Sequence, residues 1–196
     1  MRISIRGTVL LASAYMMAGV AVWGQKSIPT TQATSCLEVA ITYDASRANL
    51  IAGNSFWMQG GGVQLHGQFW HGLGVVADVT GLHTANINNS GIGLDMVTAT
   101  FGPRYTWSPA HAQYSVFGQA LAGVANGINS LFPGTPQSRS SADSLAVQLG
   151  GGMDLPLKRH IAVRAFEAGW IRTQMPNLTT GVQNNLKVGA GIVFRF

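Results

Sequence analysis

The sequence predicts an all-β protein, an eight-stranded antiparallel up-and-down transmembrane β-barrel. Apolar and polar residues alternate with period two in eight segments, as in strands whose two faces meet different surroundings. The segments are longer than the roughly 5–6 residues of an average strand, and they suit the roughly 9–11 residues of a tilted bilayer crossing. The connections between them alternate in length, which is the third observation that favours a barrel in a membrane.

The composition is unlike that of an ordinary soluble domain and argues against a nucleic-acid-binding protein. Only 10% of the 196 residues are charged, against about 25% in ordinary soluble domains. The formal net charge is +5, but the 12 Lys and Arg residues are scattered singly, with Lys158-Arg159 the one adjacent pair. Because no basic run or basic helix appears, no nucleic-acid partner is predicted.

The first element is an export signal. Arg2 and Arg6 precede an apolar run from about Val9 to Trp23, and small residues follow it. This pattern predicts a signal peptide over residues 1–24, cleaved after Gly24. The apolar run is shorter than the roughly 20 residues that span a bilayer as a helix.

A short polar segment is expected next, followed by the barrel. Residues 25–36 read as a flexible lead-in, and residues 37–196 as the barrel. Cys36 is the one cysteine, so no internal disulfide is possible. An exported, cysteine-poor chain favours a Gram-negative envelope, and the predicted location is the bacterial outer membrane.

The eight strands follow the alternation in chain order. In the last of them, Val188, Ala190 and Ile192 lie on one face, whereas Lys187 and Gly191 lie on the other. The predicted strands are Leu37–Ala45, Trp57–Phe69, Gly72–His83, Leu94–Trp107, Gln113–Asn126, Ser144–Asp154, Arg159–Arg172 and Leu186–Phe196.

The connections predict which end of the barrel faces outwards. Transmembrane barrels have tight turns on the periplasmic side and extended loops outside. The short connections are Trp70-His71, Ser108–Ala112 and Leu155–Lys158. The long ones, expected to contact an unidentified ligand, are Ser46–Phe56, Thr84–Gly93, Gly127–Asp143 and Thr173–Asn185.

The alternation marks two faces without saying which of them meets water. In the strand Leu94–Trp107, Val97 and Phe101 alternate with Thr98 and Arg104. In a membrane barrel the apolar face meets lipid; in a secreted soluble β-barrel it would line an internal site for an apolar ligand. Strand length, loop lengths and the signal peptide favour the membrane, and the soluble barrel is the alternative.

Aromatic residues near strand ends predict interfacial girdles, where amphipathic rings lie at headgroup level. They are Phe56, Trp57, Phe69, Trp70, Tyr105, Trp107, Tyr114 and Trp170.

The polar face predicts a barrel interior filled by hydrogen-bonded side chains. An eight-stranded barrel is just wide enough for its own side chains, so a plug is favoured over a narrow pore. Phe117 shares the face of a predicted interior glutamine, and Arg164 and Glu167 can both point inward only across a β-bulge. The candidate interior residues are Asp78, Arg104, Gln119, Gln148, Arg164 and Lys187.

No catalytic, cofactor-binding or metal-ligating residues are predicted. The five histidines have no ligand-like spacing, and no G-x-S-x-G motif occurs. The sequence therefore predicts a non-enzymatic protein, with a lipid-modifying barrel enzyme kept as a further alternative.

The signal peptide, the eight alternating strands and the terminal GAGIVFRF together resemble the OmpA-like eight-stranded outer-membrane barrels. The resemblance implies an interior plug of polar and charged side chains and a structural or surface-interaction role. It also implies that the closing strand ends in an aromatic signal recognised by the barrel-assembly machinery. The matching residues here are Phe194 and Phe196, and the implied partners are that machinery and outer-membrane lipid.

Overall fold

The computed structural model describes residues 37–49, 55–87, 93–110, 112–130, 140–175 and 181–196. The predicted signal peptide (1–24) and lead-in (25–36) lie outside the described residues. No helix in these described ranges is long and apolar enough to cross a membrane.

Eight antiparallel strands form one closed barrel in simple chain order, which confirms the predicted fold class. The last strand pairs with the first, so the sheet has no open edge. The strands are β1 (Leu37–Asn49), β2 (Ser55–Trp70), β3 (Leu73–Thr84), β4 (Leu94–Trp107), β5 (Ser115–Ile128), β6 (Ala142–Lys158), β7 (Ile161–Thr173) and β8 (Gln183–Arg195).

Two predicted connections differ most from the structure. The segment Leu155–Lys158 belongs to β6, and the turn to β7 is Arg159-His160. Pro156 suggests a turn in the sequence, but here it stands beside a register shift between β6 and β7, where a strand tolerates proline. The predicted loop Ser46–Phe56 shrinks to residues 50–54, because β1 and β2 continue to pair as far as Asn49 and Ser55.

The β2–β3 turn shows why particular residues stand at the short-turn end. His71 and Gly72 both have positive φ, 36° and 88°, as a two-residue hairpin of the primed type requires. A Cβ at Gly72 would lie 2.3 Å from the carbonyl oxygen of Thr106. Glycine is therefore needed there for its conformation and for the close approach of the next hairpin.

The apolar face of every strand points outward. Phe101 is 71% exposed and Val124 is 61% exposed. This orientation contradicts the alternative of a soluble barrel that turns its apolar face inward. One such exposed apolar residue from each strand in turn is Ile41, Leu65, Val79, Phe101, Val124, Leu149, Phe166 and Ile192.

The aromatic girdle residues also lie outside, with one exception. Trp57, Trp70 and Trp107 are more than half exposed. Phe56 is instead 6% exposed and points into the barrel, because β2 begins at Ser55 and its alternation places Phe56 inward. Phe56 is therefore a correction to the predicted girdle.

Candidate functional site

The barrel interior holds a set of charged and amide side chains, here called the central polar cluster. All of its members are at most 6% exposed, and they come from seven different strands. Burial of this kind is costly unless each charge is paired and hydrogen-bonded. The cluster consists of Gln64, Asp78, Arg104, Gln119, Asp154, Arg164, Glu167 and Lys187.

Arg164 makes the most ionic contacts in the cluster. Its Nε and Nη2 donate to the two carboxylate oxygens of Asp154 at 2.9 and 3.2 Å, a bidentate geometry that strengthens the pair. Its Nη1 donates to Glu167 Oε2 at 2.7 Å and also to Gln64 Oε1. One guanidinium therefore forms ion pairs with two buried carboxylates.

A bulge makes the Arg164–Glu167 contact possible. The β7–β8 register shifts between these two residues, and both side chains are buried, at 0% and 1% exposure. Without the shift, residues three apart on a strand would face opposite sides of the sheet. The structure thus has the bulge that two inward-facing side chains require here, and the two groups are 2.7 Å apart as an ion pair.

The side-chain amide of Gln64 lies between two arginines and two carboxylates. Its oxygen accepts from Arg104 and from Arg164. Its nitrogen donates to Asp78 Oδ2 at 2.7 Å and to Glu167 Oε1 at 2.8 Å. The amide dipole thus has its acceptor towards the two cations and its donor towards the two carboxylates.

Phe117 explains how two guanidinium groups lie side by side. The Cζ atoms of Arg104 and Arg164 lie 4.2 and 4.5 Å from the centre of its ring. A desolvated cation over an aromatic face is stabilised by the ring quadrupole. Phe117 therefore belongs to the interior of the barrel, which resolves its irregular position in the alternation.

Lys187 is the third cation of the cluster. Its ammonium lies 3.3 Å from Asp78 Oδ2 and 3.8 Å from Glu167 Oε1. It also donates to the Thr80 hydroxyl at 3.4 Å, while that hydroxyl donates to Asp78 Oδ1 at 2.7 Å. Lys187, Asp78 and Thr80 thus hydrogen-bond to one another.

Apolar side chains occupy the interior at the long-loop end. They lie near the strand ends that the long connections join, and all are at most 6% exposed. We call them the loop-side apolar layer. They are Ala48, Phe56, Met58, Leu82, Leu94, Met96, Ala125, Ala146 and Met175.

Five of the six residues singled out from the sequence meet in the central polar cluster: Asp78, Arg104, Gln119, Arg164 and Lys187. Gln148 is buried but apart from them, and its Nε2 has no hydrogen-bond partner. Its neighbours across β5 and β7 are the apolar Leu121 and Ile171.

Three members of the cluster were not among the candidate interior residues selected from the sequence. Gln64 and Asp154 lie on inward positions of β2 and β6, and Glu167 follows the bulge in β7. The signal was available for Gln64, because it alternates with the apolar Val63 and Leu65 in the same way as Arg104 alternates with its neighbours.

A second polar group lies on the outer wall near the long-loop end. The ring Nδ1 of His83 and Asp95 Oδ1 are 2.5 Å apart, and Asn129 donates to the other oxygen of Asp95. Gln59 stands opposite His83 on β2, and its Oε1 accepts from the Tyr43 hydroxyl at 2.8 Å. We call Gln59, His83 and Asp95 the outer polar row, since they are adjacent on β2, β3 and β4.

No group of three or more His, Cys, Asp or Glu side chains suited to a metal ion occurs within the described part of the chain. In the closing strand, Phe194 pairs with Val39 and Ile161. Phe196 is 70% exposed, and its backbone N–H donates to the Leu37 carbonyl at 2.9 Å.

The barrel is similar to known outer-membrane proteins. Neisserial surface protein A matches with a TM-score of 0.64 at 13% identity, over 83% of this chain and 98% of that chain. Ail, the attachment invasion locus protein of Yersinia pestis, matches with a TM-score of 0.54 at 16% identity, over 82% and 97%. No protein-family model and no curated protein sequence matches. This chain has the fold of the small eight-stranded outer-membrane β-barrels.

Proposed function

We propose that this protein is an exported, integral outer-membrane β-barrel with a plugged interior and a structural or surface-interaction role, without catalysis. The observation that carries the proposal is the reversed distribution of polarity. Charged side chains such as Arg164 and Lys187 are at most 1% exposed, while Phe101, Phe69 and Trp70 are more than 60% exposed.

The exposed apolar residues form a continuous belt on the outer face of the barrel, and such a surface is unfavourable in water. Soluble monomers rarely expose continuous apolar patches larger than a few hundred Å². Here each of the eight strands contributes exposed apolar side chains, so the belt runs around the whole barrel. Lipid removes the cost of that exposure, and tryptophans such as Trp57 and Trp107 suit the headgroup level at its edges.

The interior supports a plug in preference to a pore. Eight strands enclose little more than the space their own side chains need. Arg104, Arg164 and Lys187 are each held by several acceptors of the central polar cluster. The loop-side apolar layer lies between that cluster and the long-loop end, and an apolar constriction excludes water and ions.

The long connections are the parts proposed to meet a partner. The segment Gly127–Asp143 includes residues 131–139, which lie outside the described residues. Ail is named for attachment and invasion, so a surface role occurs in a barrel of this fold. We extend that class of role to this chain without naming its partner.

Insertion would use the closing strand. The exposed Phe196 and its neighbour on the same face, Phe194, are the residues we propose as the signal for the barrel-assembly machinery. The hydrogen bond from Phe196 N–H to Leu37 places this end of β8 where the barrel closes.

Two measurements test the proposal together. After expression with export, the protein should be recovered with the outer membrane, and an unboiled sample should migrate differently from a boiled one. In a planar bilayer the purified barrel should give no steady conductance. Recovery in the aqueous fraction without detergent would refute the membrane location, and stable channels would refute the plug.

A further inference from the structure

Three buried polar side chains lie close together inside the barrel, beside the central polar cluster. Asp44 Oδ1, Ser46 Oγ and Asn185 Oδ1 have no hydrogen-bond partner among the described residues, and all three side chains are 0% exposed. Ser46 is the next inward residue after Asp44 on β1, and Asn185 lies one such step further along the adjacent β8, opposite Ala48. We call Asp44, Ser46 and Asn185 the β1–β8 oxygen patch.

The carboxylate of Asp44 turns its unpartnered oxygen towards β8. Its other oxygen, Oδ2, accepts from the Thr42 hydroxyl at 2.8 Å and lies 3.0 Å from where a Cβ at Gly62 on β2 would be. A Cβ at Gly189, the residue opposite Asp44 on β8, would lie 2.1 Å from Oδ1. Oδ1 therefore lies over β8, the strand that carries Asn185.

The charges buried in the barrel do not balance. Four carboxylates and three cations are at most 3% exposed among the described residues. The carboxylates are Asp44, Asp78, Asp154 and Glu167, and the cations are Arg104, Arg164 and Lys187.

Asp44 is the carboxylate without a counter-charge. Within the described part of the barrel no cation forms an ion pair with it, because Lys187 pairs with Asp78 and Glu167 instead. Glu38 has its own cation, Arg195, and lies six residues from Asp44 along β1, about 20 Å away. A buried charge without a partner is costly, so a counter-charge at Asp44 is favoured.

The chemistry of the patch matches a small monovalent cation. Carboxylate, hydroxyl and amide oxygens are the ligands that hard cations prefer. Water can satisfy a buried hydroxyl or amide, but it leaves the charge of Asp44 uncompensated. Since one of the three groups is charged, a monovalent ion restores neutrality, whereas a divalent ion leaves an excess positive charge. An alkali-metal ion such as Na⁺ is the best match.

The inner face of β8 gives such an ion a route from the long-loop end. The loop-side apolar layer has no member among the residues of β8. The inward residues there are the polar Gln183, Asn185 and Lys187, all at most 7% exposed. The ammonium of Lys187 closes this route because it repels a second cation. An ion can therefore reach the patch without crossing the barrel, in agreement with a plugged interior.

We propose that the β1–β8 oxygen patch binds one monovalent cation, Na⁺ being the ion that fits, as the counter-ion of Asp44. The Asp44 carboxylate, the Ser46 hydroxyl and the Asn185 amide oxygen are its ligands. The inference goes beyond the proposed function, because it assigns an internal ion site to a barrel that conducts no current.

The test compares unfolding of the barrel in Na⁺ with unfolding in N-methylglucamine, a cation too large for the patch. The protein is folded in phosphatidylcholine vesicles, whose headgroups carry no net charge, and is titrated with urea at one pH and one ionic strength. We expect the equilibrium constant for unfolding to be at least about tenfold smaller in Na⁺, because an ion that binds only the folded state stabilises it. Equal constants in the two salts, the result expected if Asp44 holds a proton instead, would overturn the site. A larger effect of Ca²⁺ than of Na⁺ would overturn the monovalent assignment.

Asp44→Asn removes the excess charge and keeps an acceptor for the Thr42 hydroxyl. We expect the effect of Na⁺ to disappear in this variant. In N-methylglucamine its equilibrium constant for unfolding should be smaller than that of the unaltered barrel, because no buried charge is left unpaired. A residue with a packing role alone would not produce that gain. An effect of Na⁺ that persists in Asp44→Asn would refute the patch as its origin.

Ser46→Ala tests a neutral ligand, and Thr100→Val is its matched control. The Thr100 hydroxyl is also buried and has no partner among the described residues, but it lies on β4, three strands from β1. Ser46→Ala should reduce the effect of Na⁺ to less than about threefold, whereas Thr100→Val should keep it. Each variant is first shown to give the gel band of the unboiled barrel, so that loss of the effect is not confused with failure to fold. Equal effects of Na⁺ in the two variants would refute the site.

Discussion

Replacing Arg164 with Met removes the cation that forms ion pairs with two buried carboxylates. Asp154 and Glu167 lie 2.9 and 2.7 Å from the guanidinium, and their side chains are 4% and 1% exposed. Removing one partner of a buried ion pair costs about 3–5 kcal/mol, because the remaining charge is uncompensated. We expect a loss of this size in the free energy of unfolding, since Lys187 reaches Glu167 only at 3.8 Å.

The assay is a urea titration of the barrel in phospholipid vesicles, in which unfolding is monitored by the loss of the gel band of the unboiled protein. Arg164→Met/Asp154→Asn should recover at least about 1 kcal/mol relative to Arg164→Met, because one orphaned charge is removed as well. Arg47→Met is the control; this exposed arginine should cost less than about 0.5 kcal/mol. A loss below about 1 kcal/mol for Arg164→Met would refute the view that these ion pairs hold the interior together.

Three further predictions test the faces, the orientation and the closing strand. Val188→Arg should cost about 2–4 kcal/mol of unfolding free energy near the middle of the lipid belt, whereas Leu157→Arg at the short-turn edge should cost about 0–1; equal costs would mean that the faces are assigned wrongly. In a Cys36→Ser background, cysteine at Asn129 should react with a membrane-impermeant thiol reagent on whole cells, and cysteine at Ala110 only after the outer membrane is opened; the opposite pattern would invert the topology. Deleting Phe196 should reduce insertion in cells more than it reduces refolding in detergent, and equal losses would make it a packing residue.

The alternation of residues was sufficient to predict the fold. In β4 the predicted and observed bounds are the same, Leu94–Trp107, because an uninterrupted period of two needs no tertiary information. The β5 and β6 bounds differ by two to four residues, since pairing with a neighbouring strand decides where a strand stops. Pro156 is the clearest case, because only the register shift beside it makes a proline acceptable there.

The central polar cluster was partly predictable. A charge on an inward position must find a partner in the barrel, so Asp78, Arg104 and Lys187 could be selected from the alternation alone. Gln64 and Gln148 are alike in the sequence, but one faces Asp78 across the β2–β3 pairing and the other faces Leu121 and Ile171. That difference depends on which residues pair across neighbouring strands of the closed barrel, and the alternation in the sequence does not specify this register.

The loop-side apolar layer was not predicted. An alternation of period two assigns residues such as Phe56 and Met96 to a face of a strand, but it does not indicate which side chains fill the two ends of the barrel interior. The notion that the inward face is polar throughout holds only for the middle of the barrel. The alternation also does not reveal that the inward position of Gly191 has no room for a side chain. A Cβ at Gly191 would lie 2.1 Å from the carbonyl oxygen of Ile41 on β1.

The central claim is that the outward face of the barrel meets lipid over its middle and water at both ends. Spin labels placed one at a time at Val97, Ala99, Phe101 and Tyr105 on β4, with Trp107 as the short-turn edge, test it in vesicles. All five residues are outward-facing, so the label need not disturb the interior. Collision with oxygen, relative to a water-soluble nickel complex, should rise to a maximum near Phe101 and fall towards both ends. Uniform access for the nickel complex along the strand would contradict the account.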